Sequence, residues 1–259
     1  MKSANYDHLR VQQYPDRESL GQAAAEHVRK IIAAAIAARG EARVIFACAP
    51  SQNEFLAALV AQPPAVAWPH VVAFHMDEYV GLSASHEQSF RHYLRGHLLD
   101  AIPQPKAFHP IRGEATSLPQ ECERYAKLLR AKPIDLVCMG IGENGHLAFN
   151  DPPVADFEDR EVIKVVELDH ICRQQQVNDG CFAKMSAVPT HALTLTMPTL
   201  FGARAISCVV PGERKAQAVR DTLLGPVETA CPASILRQHP NAVLHIDAAA
   251  ASKLASARP

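Results

Sequence analysis

His146 stands in Gly140-Ile141-Gly142-Glu143-Asn144-Gly145-His146-Leu147-Ala148-Phe149-Asn150-Asp151-Pro152-Pro153, a loop whose imidazole has an amide just before it and an acid behind it. Histidine is the side chain whose ordinary range suits a proton shuttle near neutrality. Asn144 and Asp151 can orient the ring, while Gly140, Gly142 and Gly145 let the chain turn tightly and leave space for a ligand. A structural histidine bonded to backbone is the other reading, and so glycine-rich a loop offers it little ordinary packing. A second stretch, Phe74-His75-Met76-Asp77-Glu78-Tyr79, holds adjacent carboxylates. A partly desolvated carboxylate there can act as a general base, and the same pair also fits solvated or capping acids. In Val210-Pro211-Gly212-Glu213-Arg214-Lys215 the lysine falls in the first turn of a helix, against the macrodipole. That placement suits a lysine meeting an anionic ligand, or a surface lysine. Ala49-Pro50-Ser51-Gln52 turns from strand to helix, where free N–H groups and the Ser51 hydroxyl suit an anion or a plain N-cap. Together the set suits proton transfer on a small phosphorylated molecule, without a metal or other cofactor.

The elements that position these residues alternate. Helices are expected over 19–39, ending at Gly40, over Ser51 to Gln62, around Phe90 to Leu99, over Leu118 to Ala131 and over Glu213 to Leu223. Apolar runs predict strands at 43–48, 71–74, 134–139, 162–166, 192–197, 205–210 and 243–246. The alternation implies an α/β fold: a doubly wound, mainly parallel, Rossmann-like sheet with helices on both faces. Each chemistry-bearing stretch follows a strand, which is where open α/β sheets bind ligands. The opening residues, Met1 to Asp16, are polar and do not read as a signal peptide, and the alanine-rich tail after Asp247 reads as a frayed helix end. No linker or repeat divides the chain, so residues 1–259 are taken as one domain.

A net charge of −1 gives no ground for nucleic acid or a membrane surface as partner. The longest apolar stretch, Ile31 to Ala38, is too short to span a bilayer. Seven cysteines without a C-x-x-C spacing read as reduced residues of a cytoplasmic protein. The thirteen histidines show no metal-ligand spacing. A homo-oligomer is compatible with all of this.

Phe74-His75-Met76-Asp77-Glu78-Tyr79-Val80-Gly81-Leu82 and the loop from Gly140 to Pro152 closely resemble the two signatures of glucosamine-6-phosphate deaminases (isomerases). The resemblance extends to Gly212-Glu213-Arg214-Lys215-Ala216-Gln217-Ala218-Val219 and to the stretch from Leu236 to Asp247. Related 6-phosphogluconolactonases share the fold and a glycine-rich stretch ending in histidine, but resemble neither the Met76–Leu82 part nor the Ala148–Pro152 part. The resemblance implies that Asp77 moves a proton between C2 and C1 of an open-chain aminosugar. It implies that His146, oriented by Asn144 and Asp151, assists ring opening. Lys215 and the 49–52 loop would hold the phosphate, with Glu78, Gly142 and Arg173 also on the substrate side. The reaction implied turns glucosamine 6-phosphate and water into fructose 6-phosphate and ammonia. The rival expectations are a lactonase on the same fold and a sugar-phosphate-binding regulator without turnover.

Several positions depart from the family pattern. Asn144 stands where many members have aspartate, and Asp151 where glutamate is usual. Gln176 falls about where an arginine usually reaches the phosphate, although Arg173 is near. Some members are activated by an N-acetylaminosugar phosphate held just after the second signature. Here that stretch is Val154 to Glu161, without hydroxyl groups and with Asp156, Glu158, Asp159 and Glu161 against Arg160 alone.

Overall fold

The computed structural model describes residues 1–61 and 65–254. Along the chain run β1 (Lys2–Tyr6), β2 (Leu9–Tyr14), α1 (Arg17–Arg39), β3 (Ala42–Phe46), α2 (Asn53–Ala61), β4 (Val71–His75) and β5 (Asp77–Tyr79). Then follow α3 (Phe90–His97), β6 (Ala107–His109), α4 (Leu118–Arg130), β7 (Leu136–Met139), β8 (Ile163–Glu167), α5 (His170–Asn178) and β9 (His191–Leu195). The chain closes with α6 (Met197–Phe201), β10 (Ile206–Val210), α7 (Ala216–Leu224) and β11 (Ala242–Asp247). Gln62, the last residue of the helix expected from Ser51, lies outside the described residues.

Eight strands form one sheet in the order β1-β2-β11-β10-β7-β3-β4-β6. Every neighbouring pair is parallel except β1 with β2. Strands β3, β4 and β10 are buried along their whole length, as parallel strands covered on both faces must be. One face packs on α1, α2 and α3 through Leu20, Val28, Ile32, Phe55, Leu59 and Leu94. The other packs on α4, α6 and α7 through Tyr125, Leu129, Leu200, Val219 and Leu223. The doubly wound α/β architecture is therefore present. Helix α1 shows how locally it is encoded. The Asp16 side chain caps its start by accepting from Ser19 N at 2.7 Å. Gly40, left-handed at φ 75°, closes its end with an N–H to Ile36 O.

One element goes unmarked in the sequence pattern, and two expectations are corrected. The polar opening stretch is a hairpin, and its second strand extends the sheet beside β11, burying Leu9, Val11 and Tyr14. Residues 162–166 and 192–197 do not extend the parallel sheet. They form β8 and β9 of a separate three-stranded antiparallel sheet, ordered β5-β9-β8. The half-exposed alternation of β8 is the mark of such a sheet, one face of which stays wet. The tail after Asp247 is not frayed where it is described. Ala250 N donates to Asp247 Oδ1 at 2.7 Å, and Ala250 and Ala251 pack into the core; residues 255–259 lie outside the described residues.

Candidate active site

A cavity opens where the carboxyl ends of β3, β4, β7 and β10 meet. From β3 the chain winds toward β4 and β6, and from β7 toward β10 and β11. The crevice between β3 and β7 is therefore the topological switch point of the sheet. Ser51 and Gln52 reach the cavity after β3, Asp77 after β4, Gly140, Gly142 and His146 after β7, and Lys215 after β10.

Beyond β7 the loop is built around His146. Its Nδ1 faces two acceptors, Asn144 Oδ1 at 2.7 Å and Asp151 Oδ1 at 3.0 Å. Asn144 Nδ2 donates to the same Asp151 oxygen at 2.8 Å, which fixes the amide orientation. With both neighbours accepting, Nδ1 carries a proton, and Nε2 is the ring nitrogen left for the cavity. Burial pushes the Asp151 carboxyl up, but the positive charge of a protonated His146 and the hydrogen bonds from His146 and Asn144 outweigh it and hold it below the usual carboxylate value. Gly142 lies flat under the imidazole, where a Cβ would come within 2.2 Å of ring carbon Cε1. Only glycine leaves the ring that position.

Asp77 lies on β5 and is buried in the cavity wall. Burial, and then the neighbouring Glu78, push its carboxyl well above the usual value. Glu78 does not line the cavity. Successive side chains on a strand point to opposite faces, so the two adjacent carboxylates cannot share one site. The Glu78 carboxylate is spent on Ser89 Oγ (2.8 Å), Arg91 Nε (3.0 Å) and the backbone N–H groups of Tyr79, Phe90 and Arg91. Arg91 then reaches Glu114 and the Leu82 carbonyl, so the pair ties β5 to the start of α3.

At the other end of the cavity Lys215 is 8% exposed on the turn Glu213–Lys215. Burial pushes its ammonium group down, while Asp179 and Glu143 work to raise it. Gln52 Nε2 donates to Ser51 Oγ and to Val209 O, and Gln52 Oε1 is buried without a partner. Arg214 pairs with Asp179 and Glu143, leaving Lys215 as the only Lys or Arg among the lining residues described. Arg173, expected on the substrate side, is not among them. Residues 172, 175, 176 and 179 form the inward stripe of α5 and its end, at helical spacing. Arg173 lies off that stripe and donates to the carbonyls of Met185 and Val188.

Some contributors carry no obvious chemistry. Asn150 donates from Nδ2 to Leu147 O at 2.9 Å and Leu195 O at 2.8 Å, pinning the loop to β9. Gln175 Oε1 accepts from Glu143 N at 2.8 Å, pinning it to α5. Ala148 holds a left-handed φ of 53° on the cavity wall, strain of the kind that collects at functional sites. Nothing local in the sequence marks these partners. His146 Nδ1, an Asp151 oxygen and Cys172 Sγ lie within 4.8 Å of one another, a set of donor atoms able to hold a cation. In this arrangement they are engaged with each other.

A sequence profile for glucosamine-6-phosphate isomerases and 6-phosphogluconolactonases matches residues 15–245. The chain is 38% identical over 185 residues to a glucosamine-6-phosphate deaminase from Exiguobacterium sibiricum, covering 71% of each. It is equally identical over 185 residues to one from Listeria monocytogenes, covering 71% of this chain and 76% of that protein. A solved monomeric glucosamine-6-phosphate deaminase superposes with a TM-score of 0.86 at 29% identity, over 93% of this chain and 98% of that one. A 6-phosphogluconolactonase from Trypanosoma brucei shares the fold, with a TM-score of 0.76 at 20% identity, over 98% and 100% of the chains.

Proposed function

The chain belongs to the family of glucosamine-6-phosphate isomerases and 6-phosphogluconolactonases, and on that premise we propose that it is an enzyme converting glucosamine 6-phosphate and water to fructose 6-phosphate and ammonia. One observation carries the reading: a buried, hard-to-ionise carboxylate, Asp77, shares a cavity with an imidazole whose Nε2 is free and with a buried lysine. Lys215, with Ser51 and Gln52, holds the phosphate and so sets the sugar's far end. His146 Nε2 exchanges a proton with the ring oxygen and the C1 hydroxyl as the ring opens, and Asn144 and Asp151 steady the imidazole through Nδ1. Asp77 removes the proton on C2 and returns it to C1. The C2 amine becomes an imine, and water replaces its nitrogen, releasing ammonia.

A lactonase needs no base at C2, so the buried Asp77 favours the deaminase, as does the sequence identity to deaminases. A regulator without turnover has no use for the polarised His146 assembly. The whole chain serves as one catalytic unit in this reading. Seven free cysteines suit a reducing, cytoplasmic setting, and no described helix is long and apolar enough to cross a membrane. The test is ammonia release over a panel of phosphorylated aminosugars, with fructose 6-phosphate assayed in parallel. Equal yields of both products from glucosamine 6-phosphate are expected. Hydrolysis of 6-phosphogluconolactone with no ammonia from any aminosugar would overturn the assignment.

A further inference from the structure

The end of the cavity that meets the phosphate carries no net positive charge. Lys215 and Asp179, the residue that closes α5, both line it. Arg214 stands beside them, bonded to Asp179 and 3.6 Å from Glu143 of the histidine loop. Two cations thus face two carboxylates. The other lining groups there, Ser51, Gln52, Gln175 and Gln176, are neutral. Farther out, Arg17 is spent on Glu54 at 2.7 Å and on the Pro50 carbonyl. Burial first, and nearby acids after it, push the thiols of Cys172 and Cys181 up, so both stay protonated and uncharged. A phosphate ester above a pH of about 6 is a dianion, and all its oxygens then only accept. The Asp179 carboxylate also only accepts. Its side chain is 14% exposed, with Oδ1 on Arg214 and Oδ2 reached by Gln175 Nε2 at 3.4 Å. A dianion seated against Lys215 therefore meets an acid it cannot bond.

We propose that the cavity takes its substrate as the phosphate monoanion, whose one remaining P–O–H donates to the Asp179 carboxylate, and that Asp179 is thereby a specificity-determining residue. The proposal rests on the reading of this cavity as a sugar-phosphate site. Two arrangements compete. In the first, Arg214 leaves Asp179 and joins Lys215 on a dianion. Asp179 and Glu143 are then stranded beside two further negative charges. In the second, Arg214 keeps Asp179, and one proton turns a repulsive contact into a charge-assisted hydrogen bond. The second leaves every ion pair of the structure in place. It also takes one net charge out of water rather than two, which costs far less in a buried site. Burial already weighs against the Lys215 ammonium, so this end tolerates little further unbalanced charge. Ser51 Oγ accepts from Gln52 Nε2 at 3.1 Å, which leaves the serine hydrogen for a phosphate oxygen. Lys215 and Ser51 thus serve the bare oxygens, and Asp179 reads the protonated one. A sulfate ester has the same single charge but no proton to give, so Asp179 discriminates against it.

The experiment measures binding without turnover. Glucitol 6-phosphate and glucitol 6-sulfate, which have no C1 aldehyde and no amine to react, are titrated calorimetrically into wild type and Asp179→Asn from pH 6 to 8. Each titration is repeated in buffers of different ionisation heat, which counts the protons taken up. For wild type the phosphate ester should bind roughly fiftyfold more weakly at pH 8 than at pH 6, following the shrinking monoanion fraction. About one proton should be taken up per site at pH 8. The sulfate ester should bind independently of pH and at least tenfold more weakly than the phosphate ester does at pH 6. In Asp179→Asn the proton uptake should vanish, the phosphate ester should bind at pH 8 about as well as at pH 6, and the sulfate ester should gain. Wild-type affinity for the phosphate ester that is flat with pH would overturn the proposal in favour of a dianion held by Lys215 and Arg214. Equal binding of the two esters at pH 6, equal proton uptake by both proteins, or no binding of the phosphate ester at any pH would overturn it too. The wild-type comparison of the two esters decides the matter even where the variant does not fold. Absence of ammonia from glucosamine 6-phosphate would sink the deaminase reading and leave these binding results standing.

Discussion

Asp77 and His146 divide the proposed chemistry, and the division can be tested one side chain at a time. Asp77→Asn keeps the shape of the wall but removes the base, so kcat should fall by about 10²–10⁴-fold while substrate still binds. Near-normal ammonia release by that variant would contradict its role. Its raised carboxyl also sets a sign: the active, ionised form is lost as pH falls, and from a pH above the ordinary carboxylate range. At the opposite end the proposed phosphate would meet Lys215 and neutral amides, with the Asp179 carboxylate also on the lining. Gln176→Arg should add a charge-assisted contact and lower KM roughly fivefold to tenfold with kcat little changed; a change confined to kcat would place Gln176 away from the phosphate. How much of this was legible in the sequence depends on the residue. Asp77, His146 and Lys215 each follow an apolar run at the end of a buried strand, so strand and loop together placed them. Glu78 misled because adjacent acids look alike in sequence, whereas a strand sends them to opposite faces. Arg173 misled because its direction depends on the phase of α5, and one residue of offset turns a side chain by roughly 100°. Asn150 and Gln175 act through partners far along the chain, Leu195 and Glu143, which no local pattern marks.

The element that matters most to the site is the small one. Strand β5 has only three residues, too few for a period to be read, and it pairs with β9 more than a hundred positions away. The parallel strands were legible because each is a continuous apolar run, whereas a short strand or a polar opening hairpin gives no such signal. What holds β5 in register is the buried Glu78–Arg91 pair, with relative exposures of 0% and 7% for the two side chains. Removing one partner of such a pair strands the other charge. Arg91→Leu should therefore cost about 3–5 kcal/mol of stability in urea unfolding, and kcat should fall with it because Asp77 rides on the same strand. Loss of less than about 1 kcal/mol with unchanged kcat would show that backbone pairing alone holds β5.

At the scale of the whole molecule, two charge patterns govern behaviour. The first is a set of neutral buried histidines. His75 accepts from Ile111 N through Nε2, and burial followed by Arg91 lowers its pKa to about 3. His245 lies between Tyr14 and His27, and burial followed by His27 lowers it to about 3. Both folded values lie below the ordinary 6.5, so the unfolded chain takes up protons first. Stability should be full above that value and decline as pH falls toward about 3, by about 1.4 kcal/mol per pH unit for each group. Urea midpoints from pH 7 to 4 measure this, and His75→Gln, which keeps an acceptor for Ile111 N, should flatten the slope. The second pattern is acidic and bears on regulation. In the stretch after the histidine loop, Asp156 Oδ1 accepts from Glu158 N and Asp159 Oδ1 from Glu161 N, so the acids build their own turns. Lys164 is already spent on Asp159 and the Val154 carbonyl. Asp156, Glu158, Asp159 and Glu161 thus outnumber Arg160 and Lys164, and Val154 and Ala155 supply no hydroxyl. A sugar phosphate bringing roughly −1.5 to −2 charge would meet net repulsion there, with Arg160 set against four carboxylates and Lys164 already spent on one of them. An activator needs differential affinity for one of two states, and a surface that rejects the anion in both supplies none. Initial rates should therefore be hyperbolic in glucosamine 6-phosphate and unaffected by N-acetylglucosamine 6-phosphate. A sigmoidal curve that the acetylated sugar turns hyperbolic would mean that the activator binds on a surface with a different charge pattern.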